Sequence, residues 1–178
     1  MVGPGRQLVL TGAPGGGKTT LLDAAERLGL SVSHEVARAI LRQPGGMALR
    51  VRDPLGFAEA MAAAHLREKA RFAGHAAPVI FDRGLPDVVG FLKVSGLPVP
   101  PAIDRACGEV RYSGPILRAP AWRAIYRQDA QRIQSWDEAV ASDAAVTQAW
   151  EHYGYAVTIL PFEPVTERLA VLQRLASL

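Results

Sequence analysis

Two kinds of apolar pattern alternate along this chain. Short, mostly apolar runs predict strands, and these lie at residues 7–10, 30–33, 78–82, 115–118 and 155–160. Longer stretches in which apolar residues recur every three or four positions predict helices, which follow Lys18 and cover 34–43, 54–72, 86–94, 135–152 and 164–178. Because strands and helices alternate, the pattern predicts an α/β fold of three layers, with a five-stranded parallel sheet between helices.

The turn between the first strand and the first helix is rich in glycine. Residues 12–20, GAPGGGKTT, match the phosphate-loop pattern G-x-x-x-x-G-K-[ST]. Glycines let backbone N–H groups converge on phosphates, and the helix that follows adds the positive end of its dipole. We expect Lys18 to bridge the β- and γ-phosphates of a nucleotide and Thr19 to hold Mg²⁺. The predicted nucleotide contacts are Gly12, Pro14, Gly15, Gly16, Gly17, Lys18, Thr19 and Thr20.

An acidic residue ends the third predicted strand. The apolar run 79–81 is followed by Asp82, as in a Walker-B-type strand that delivers a carboxylate to Mg²⁺ beside a phosphate loop. The next residue is Arg83, where a water-activating hydrolase commonly places a glutamate, so the pair favours phosphoryl transfer over ATP hydrolysis. Arg83 can face a phosphate or an acceptor substrate. The alternative is a turn with an ordinary exposed ion pair.

Charged residues also follow the second predicted strand. Ligands of open α/β sheets bind at the carboxyl ends of the strands, so Glu35 and Arg38 should face the same crevice as the phosphate loop. Glu35 is our candidate for the base that accepts a proton from an acceptor hydroxyl, and Arg38 is expected to contact the same substrate. The alternative is that Glu35 and His34 only cap the helix, since acidic residues are favoured in any first turn.

Basic residues cluster between the fourth predicted strand and the next helix. Residues 118–132 contain four arginines against one acid, which gives +3 and equals the net charge of the whole chain. A helical lid at about 118–133 would place guanidinium groups over the phosphates and exclude water. We expect Arg123 and Arg127 to stabilise the transferring phosphoryl group. Arg118 is assigned to the nucleotide and Arg132 to the acceptor, the alternative being a basic surface helix.

The remaining candidates are less specific. Pro161, in the loop after the last strand, is placed to pack beside a nucleotide base. His65, His75 and His152 are dispersed, and we expect them at helix surfaces or helix ends. Cys107 is the only cysteine, which excludes a disulfide within the chain and a cysteine-cluster metal site.

The length and net charge of the chain limit the classes of function that it can have. A chain of 178 residues suits one domain, 1–178, with a core that needs no disulfide or structural metal. A net charge of +3 does not by itself imply nucleic-acid binding. No apolar run is long enough to span a bilayer, and the first strand begins within a few residues of the start, so we expect a cytoplasmic protein without a membrane partner.

Taken together, several of these segments resemble a known group of proteins. The segments are 8–20, 35–38, 81–87, 122–132 and 160–172. There the chain is similar to small bacterial P-loop proteins of the AAA type, ATPases or kinases related to NAD metabolism. Through them it resembles nicotinamide riboside kinase domains and, more distantly, nucleoside and thymidylate kinases. The resemblance implies a nucleotide-kinase-like fold, ATP with Mg²⁺ and a small phosphate acceptor.

The first functional hypothesis is therefore an ATP-dependent kinase that acts on a hydroxyl of a nucleoside-like or ribosyl compound. The second is a nucleotide-dependent switch with slow hydrolysis, which would need neither Glu35 nor a lid. The third is phosphorylation of nucleic-acid ends, with the arginines between residues 38 and 52 following a nucleic-acid backbone.

Overall fold

Five parallel strands form the centre of the protein, which we describe from a computed structural model over residues 5–126 and 135–177. The strands are β1 (Gln7–Gly12), β2 (Ser31–Ser33), β3 (Val79–Asp82), β4 (Ile116–Ala119) and β5 (Val157–Ile159). Their order across the sheet is β2-β3-β1-β4-β5, and every neighbouring pair is parallel. The five-stranded parallel sheet predicted from the sequence is confirmed.

Eight helices connect and cover the strands within the described residues. They are α1 (Lys18–Arg27), α2 (Val36–Leu41), α3 (Gly46–Arg52), α4 (Pro54–Arg71), α5 (Leu85–Val94), α6 (Pro101–Glu109), α7 (Trp136–His152) and α8 (Val165–Ser177). The start of α4 is fixed by Asp53, whose side chain accepts a hydrogen bond from the Gly56 N–H at 2.9 Å. At the start of α7, Ser135 and Glu138 exchange hydrogen bonds as a capping box.

Alternation of side chains along the strands divides the core between two faces of the sheet. Leu8 and Leu10 of β1 pack with residues of α1 and α8 on one face. Val9 of β1 and Phe81 of β3 lie on the other face, where they pack with Trp150 of α7. Helices therefore cover both faces, and the three-layer arrangement is confirmed.

The strand register brings the candidate chemistry to one edge of the sheet. Leu10 of β1 is aligned with Asp82 of β3, and Ser33 of β2 is aligned with Phe81. The chain therefore leaves β1, β2 and β3 at the same level. The phosphate loop and the segments that begin at Glu35 and Arg83 all start from this edge, where ligands of open α/β sheets bind.

The apolar pattern missed two helices. It predicts neither α3 nor α6, which have 7 and 9 residues. In α6 only Ile103 and Cys107 are buried, and in α3 only Gly46, so neither helix presents a long apolar stripe. Helix α2 is also shorter than the predicted 34–43. None of the helices in the described ranges is long and apolar enough to cross a membrane.

Candidate active site

The turn between β1 and α1 has a backbone conformation that requires glycine. Gly12, Gly15 and Gly17 have φ angles of 115°, 78° and 79°. A Cβ atom on Gly12 would lie 2.2 Å from the carbonyl oxygen of Ala119 in β4. The loop therefore packs directly on the end of the neighbouring strand and leads into the N-terminus of α1, an arrangement suited to phosphate.

Lys18, the first residue of α1, is buried over this loop. Its Nζ donates hydrogen bonds to the carbonyl oxygens of Gly12 (3.2 Å) and Ala13 (2.6 Å). Burial, together with the positive charge of Arg83, lowers the pKa of Lys18 to about 7. A phosphate beside Nζ would favour the charged ammonium, so Lys18 is suited to binding an anion.

Asp82 ends β3 with a carboxylate oxygen that is free to bind a cation. Its Oδ1 is buried and accepts no hydrogen bond from the described part of the chain. Burial and the negative charge of Glu35 raise the pKa of Asp82 to about 6. Asp82 and Thr19 line one small cavity of about 270 Å³. Because Mg²⁺ prefers oxygen ligands and uses few protein carboxylates beside a nucleotide, the two side chains fit it.

Glu35 and Arg83 form the central ion pair of the site. Arg83 Nε donates to Glu35 Oε1 at 3.3 Å, and Arg38 Nη2 lies 3.6 Å from Glu35 Oε2. Burial alone would raise the pKa of Glu35, but the positive charges of Arg83, Lys18 and Arg38 hold it below its ordinary value. Glu35 is the N-cap residue of α2, yet its side chain makes no capping hydrogen bond. The carboxylate is therefore ionised and directed to the arginines.

Arg83 has an unusual backbone conformation that its hydrogen bonds hold in place. Its φ angle is 71°, in the left-handed region that residues other than glycine rarely adopt. The Arg83 N–H donates to the Leu10 carbonyl oxygen at 3.0 Å. Its Nη1 donates to the carbonyl oxygen of Gly12 (3.1 Å) and to Asp87 Oδ1 (3.0 Å). The guanidinium thereby links Glu35 to the phosphate loop.

Asp87 is a buried residue of α5 that sequence reasoning did not single out for the site. Its Oδ1 accepts hydrogen bonds from Arg83 and, at 2.5 Å, from Thr11 Oγ1. Its Oδ2 accepts hydrogen bonds from the Gly84 N–H and from Trp150 Nε1, each at 3.0 Å. One carboxylate thus connects β1, α5 and α7 to the guanidinium of Arg83. The only sequence signal for it is an acid in the first turn after Asp-Arg-Gly.

A cavity of about 1190 Å³ opens beside these residues. Part of its wall is polar and contains Lys18, Glu35 and Arg83. Another part is apolar, with side chains from α4 and α5 that include Phe57, Met61, Val88 and Phe91. The volume exceeds that of a typical pocket for one small molecule, so the cavity has room for a nucleotide and a second ligand.

Most residues predicted to bind the nucleotide lie at this cavity. Its wall includes Pro14, Gly15, Gly17, Lys18, Thr19, Thr20 and, from the predicted acceptor contacts, Glu35, Arg38 and Arg83. Gly16 packs behind the loop, since a Cβ atom there would lie 2.7 Å from the Ala119 carbonyl oxygen.

The structure places two of the predicted lid arginines, Arg118 and Arg123, outside the cavity wall. Arg118 donates two hydrogen bonds to Asp143, at 2.9 and 2.6 Å, and is not part of the cavity wall. Arg123 is exposed, and its guanidinium lies 5.0 Å from the centre of the Trp136 ring. Arg127 and Arg132 lie outside the described residues, as does part of the lid predicted at 118–133.

Two further predictions need correction or refinement. His65 is not at a helix surface, because it is 4% exposed and lines the large cavity from α4. Pro161 is exposed and is not part of the cavity wall, whereas Pro164 is. His75 and His152 are exposed, as expected.

Arg168 of α8 is another residue that sequence reasoning missed. Its Nη1 donates to the Gly16 carbonyl oxygen at 2.9 Å, and its guanidinium lies 5.7 Å from the centre of the Trp122 ring. Its buried Nε has no hydrogen-bond partner among the described residues. Arg168 also lines the large cavity beside the phosphate loop. A donor in this position is suited to a nucleotide phosphate.

Comparisons with known proteins give a family and a fold. A family model described as an AAA domain matches residues 7–168. No curated protein sequence matches the chain significantly.

Solved structures share the fold at low sequence identity. Deoxyadenosine kinase from M. mycoides, solved with dCMP and dCDP, is 14% identical with a TM-score of 0.72, and the match covers 97% of this chain and 100% of that one. NadR protein in complex with NR is 16% identical with a TM-score of 0.77, covering 98% of this chain and 52% of that one. This chain therefore spans about half the length of NadR. The expected nucleotide-kinase-like fold is confirmed.

Proposed function

Because this chain belongs to the AAA domain family, with an intact phosphate loop at its cavity, we propose that it is an ATP-dependent phosphotransferase. It transfers the γ-phosphoryl group of ATP to a hydroxyl of a small nucleoside-like or ribosyl acceptor. The observation that carries the proposal is the Glu35 carboxylate, which Arg83 holds ionised in the wall of the cavity that also contains Lys18. A nucleotide switch would not need such a base.

The phosphate loop and its neighbours bind ATP in this proposal. Backbone N–H groups of the loop bind the phosphates, and Lys18 moves its ammonium from the loop carbonyls to the β- and γ-phosphates. Arg168 offers its guanidinium to the same phosphates. Asp82 and Thr19 would hold Mg²⁺, which when bound neutralises charge on the phosphates.

Glu35 activates the acceptor. The acceptor hydroxyl donates a hydrogen bond to Glu35, and its oxygen attacks the γ-phosphorus in line with the leaving oxygen of ADP. A bond forms between the acceptor oxygen and phosphorus, the bond between phosphorus and the β-phosphate oxygen breaks, and the proton passes to Glu35. Arg83 orients this carboxylate through the 3.3 Å contact.

The ligands named for the structural relatives support the class of acceptor. Deoxyadenosine kinase was solved with dCMP, and in another structure with dATP, while NadR was solved with NR and, separately, with NAD and AMP-PNP. We propose that residues 1–178 act as one catalytic domain on a related acceptor.

A panel of acceptors tests the proposal. The protein is incubated with ATP and Mg²⁺ plus deoxyadenosine, cytidine, nicotinamide riboside or ribose, and ADP release and phosphorylated product are both measured. We expect at least one acceptor to stimulate ADP release with a matching amount of product. ATP hydrolysis that is independent of every acceptor would contradict a kinase and indicate a switch.

Asp82→Asn is expected to weaken ATP binding in the presence of Mg²⁺ more than in its absence, because the lost charge faces the cation. Calorimetric titrations with ATP·Mg²⁺ and with ATP in EDTA measure the two affinities. Asp137→Asn, at an exposed residue of α7 that lines neither cavity, is the matched control. If Asp82→Asn lowers the affinity for ATP equally with Mg²⁺ and in EDTA, Asp82 does not hold the metal.

Asp87→Asn is expected to destabilise the protein by about 1–3 kcal/mol, because Arg83 keeps Glu35 as an ion-pair partner but loses Asp87, and buried donors around this position lose an acceptor. An amide also cannot accept hydrogen bonds from all four donors. Urea unfolding measures the loss, with Asp104→Asn at an exposed residue of α6 as the control. A loss equal to that of the control would show that Asp87 does not hold Arg83.

A further inference from the structure

Three residues of α4 line the cavity from one face of the helix. Phe57, Met61 and His65 are spaced by four residues, so their side chains lie above one another, and all three belong to the cavity wall. Phe57 packs edge-to-face against Phe91 of α5, with ring centres 5.5 Å apart. The wall is therefore apolar and aromatic, with the imidazole of His65 as the polar group that α4 adds to this stripe.

The His65 ring is buried and makes no hydrogen bond with any described residue. Burial lowers the pKa of His65 to about 4, although the negative charges of Asp87, Glu35 and Glu68 act in the opposite direction. The imidazole is therefore neutral and carries one donor and one acceptor. The ring nitrogens are not among the fully buried side-chain atoms that lack a partner in the described residues, so they are accessible from the cavity that His65 lines. A ligand in this cavity can therefore form hydrogen bonds with the ring.

We infer that His65 selects the acceptor by its head group, a flat heterocyclic or amide-bearing ring that packs against Phe57 and Phe91 and presents a hydrogen-bonding edge to the imidazole. This inference rests on the proposed function, since it takes the ligand of this wall to be the phosphate acceptor. The sugar hydroxyl of such an acceptor would be at the polar wall with Glu35 and Arg83. The acceptor class is then a nucleoside or a riboside of a carboxamide ring, and a sugar without a ring substituent is excluded.

The chemistry of the wall explains this choice of class. Aromatic side chains bind flat rings through offset or edge contacts. A neutral imidazole can pair with a ring nitrogen, an amino group or a carboxamide, all of which a bare sugar lacks. A site built to hydrogen-bond a polar group rejects ligands that lack it, because its own polar atoms are then left unpaired.

The experiment compares acceptors with and without a head group on His65 variants. Deoxyadenosine, cytidine and nicotinamide riboside are the acceptors with a head group, and methyl β-D-ribofuranoside is the acceptor without one. Binding is measured by calorimetry in the absence of ATP, and kcat and KM are measured from phosphorylated product. His65→Leu and His65→Phe remove the hydrogen bonds, His65→Gln keeps a donor and an acceptor, and His152→Leu is the exposed control.

We expect the wild-type protein to prefer at least one head-bearing acceptor over the methyl riboside by more than 100-fold in kcat/KM. His65→Leu should reduce this preference at least tenfold, and the change should come from KM more than from kcat. The kcat/KM for the methyl riboside should stay unchanged. His65→Gln should restore part of the preference, and His152→Leu should match the wild type. His65→Phe replaces His65→Leu if thermal melts show that the latter is unfolded.

An unchanged preference in the folded apolar variants, or an equal loss for all acceptors, would overturn the inference and leave the kinase proposal in place. The absence of binding by all three head-bearing compounds would overturn it as well. If these compounds bind, and His65→Leu weakens their binding, but no phosphate is transferred, then the head-group site stands and the kinase proposal fails.

Discussion

Replacing Glu35 with glutamine is expected to reduce acceptor-dependent turnover by roughly 10²- to 10⁴-fold while ATP affinity stays near the wild-type value. Glutamine keeps the size of the side chain and most of its hydrogen bonding, but it cannot take a proton from the acceptor hydroxyl. Single-turnover kinetics with a saturating acceptor measure the loss of transfer. Calorimetric titration with ATP·Mg²⁺ measures nucleotide affinity on the same preparation.

Glu26→Gln is the matched control for Glu35→Gln. Glu26 is exposed in α1, where its Oε1 lies 2.8 Å from Nε2 of His34. Its replacement should change neither turnover nor ATP affinity. If Glu35 only capped α2, its replacement would cost about 1 kcal/mol of stability or less and leave turnover intact. A destabilised but fully active Glu35→Gln protein would therefore rule out the role of a base.

Replacing Lys18 with alanine is expected to lower turnover by roughly 10²- to 10³-fold or more and to remove most of the affinity for ATP·Mg²⁺, because a positive charge beside the transferring group is lost. The fold should persist, since within the described residues the ammonium donates hydrogen bonds only to the carbonyl oxygens of Gly12 and Ala13 in the loop. Nucleotide titration and steady-state kinetics measure the two losses. Lys93→Ala, at an exposed residue of α5, is the control. Normal affinity together with normal turnover would contradict the assignment of the phosphate loop.

The buried ammonium of Lys18 also predicts a pH signature. Its pKa is about 7 in the folded protein and 10.5 in the reference state without burial. Between these values the unfolded chain binds more protons at this residue, so its contribution to folding stability rises with pH. The stability of the wild type relative to Lys18→Ala should increase from about pH 7 to about pH 10.5. Urea unfolding of both proteins at pH 7 and at pH 10.5 measures this difference in stability. The same difference at both pH values would contradict the burial of the charge.

The parts of the site that the sequence predicts are those that local chemistry determines. The phosphate loop is a continuous segment whose glycines and Lys18 define its conformation and charge. Glu35 and Asp82 follow from strand ends, because every parallel strand delivers its carboxyl end to one edge. The position of a residue directly after β2 or β3 can therefore be predicted from the strand assignment alone.

The parts that the sequence does not predict depend on residues far apart in the chain. Arg118 is assigned to the nucleotide from its charge, yet it binds the buried carboxylate of Asp143, which is 25 positions away. The sequence predicts His65 at a helix surface or a helix end, because an isolated histidine carries no signal of burial, whereas the structure buries it. The spacing of Phe57, Met61 and His65 would have indicated a shared face with two apolar residues. Which cavity that face lines is decided by the packing of α4 against α5.

The hydrogen bonds of the Asp87 carboxylate limit how the sequence of this protein can change during evolution. Thr11, Arg83 and Trp150 come from three separate segments and all donate to this one side chain. Replacing one donor changes what the others gain from the carboxylate, so substitutions at these positions should be strongly epistatic. A lineage could exchange this network for another only through concerted changes. We therefore expect relatives to retain the whole set of residues or to have replaced all of it together.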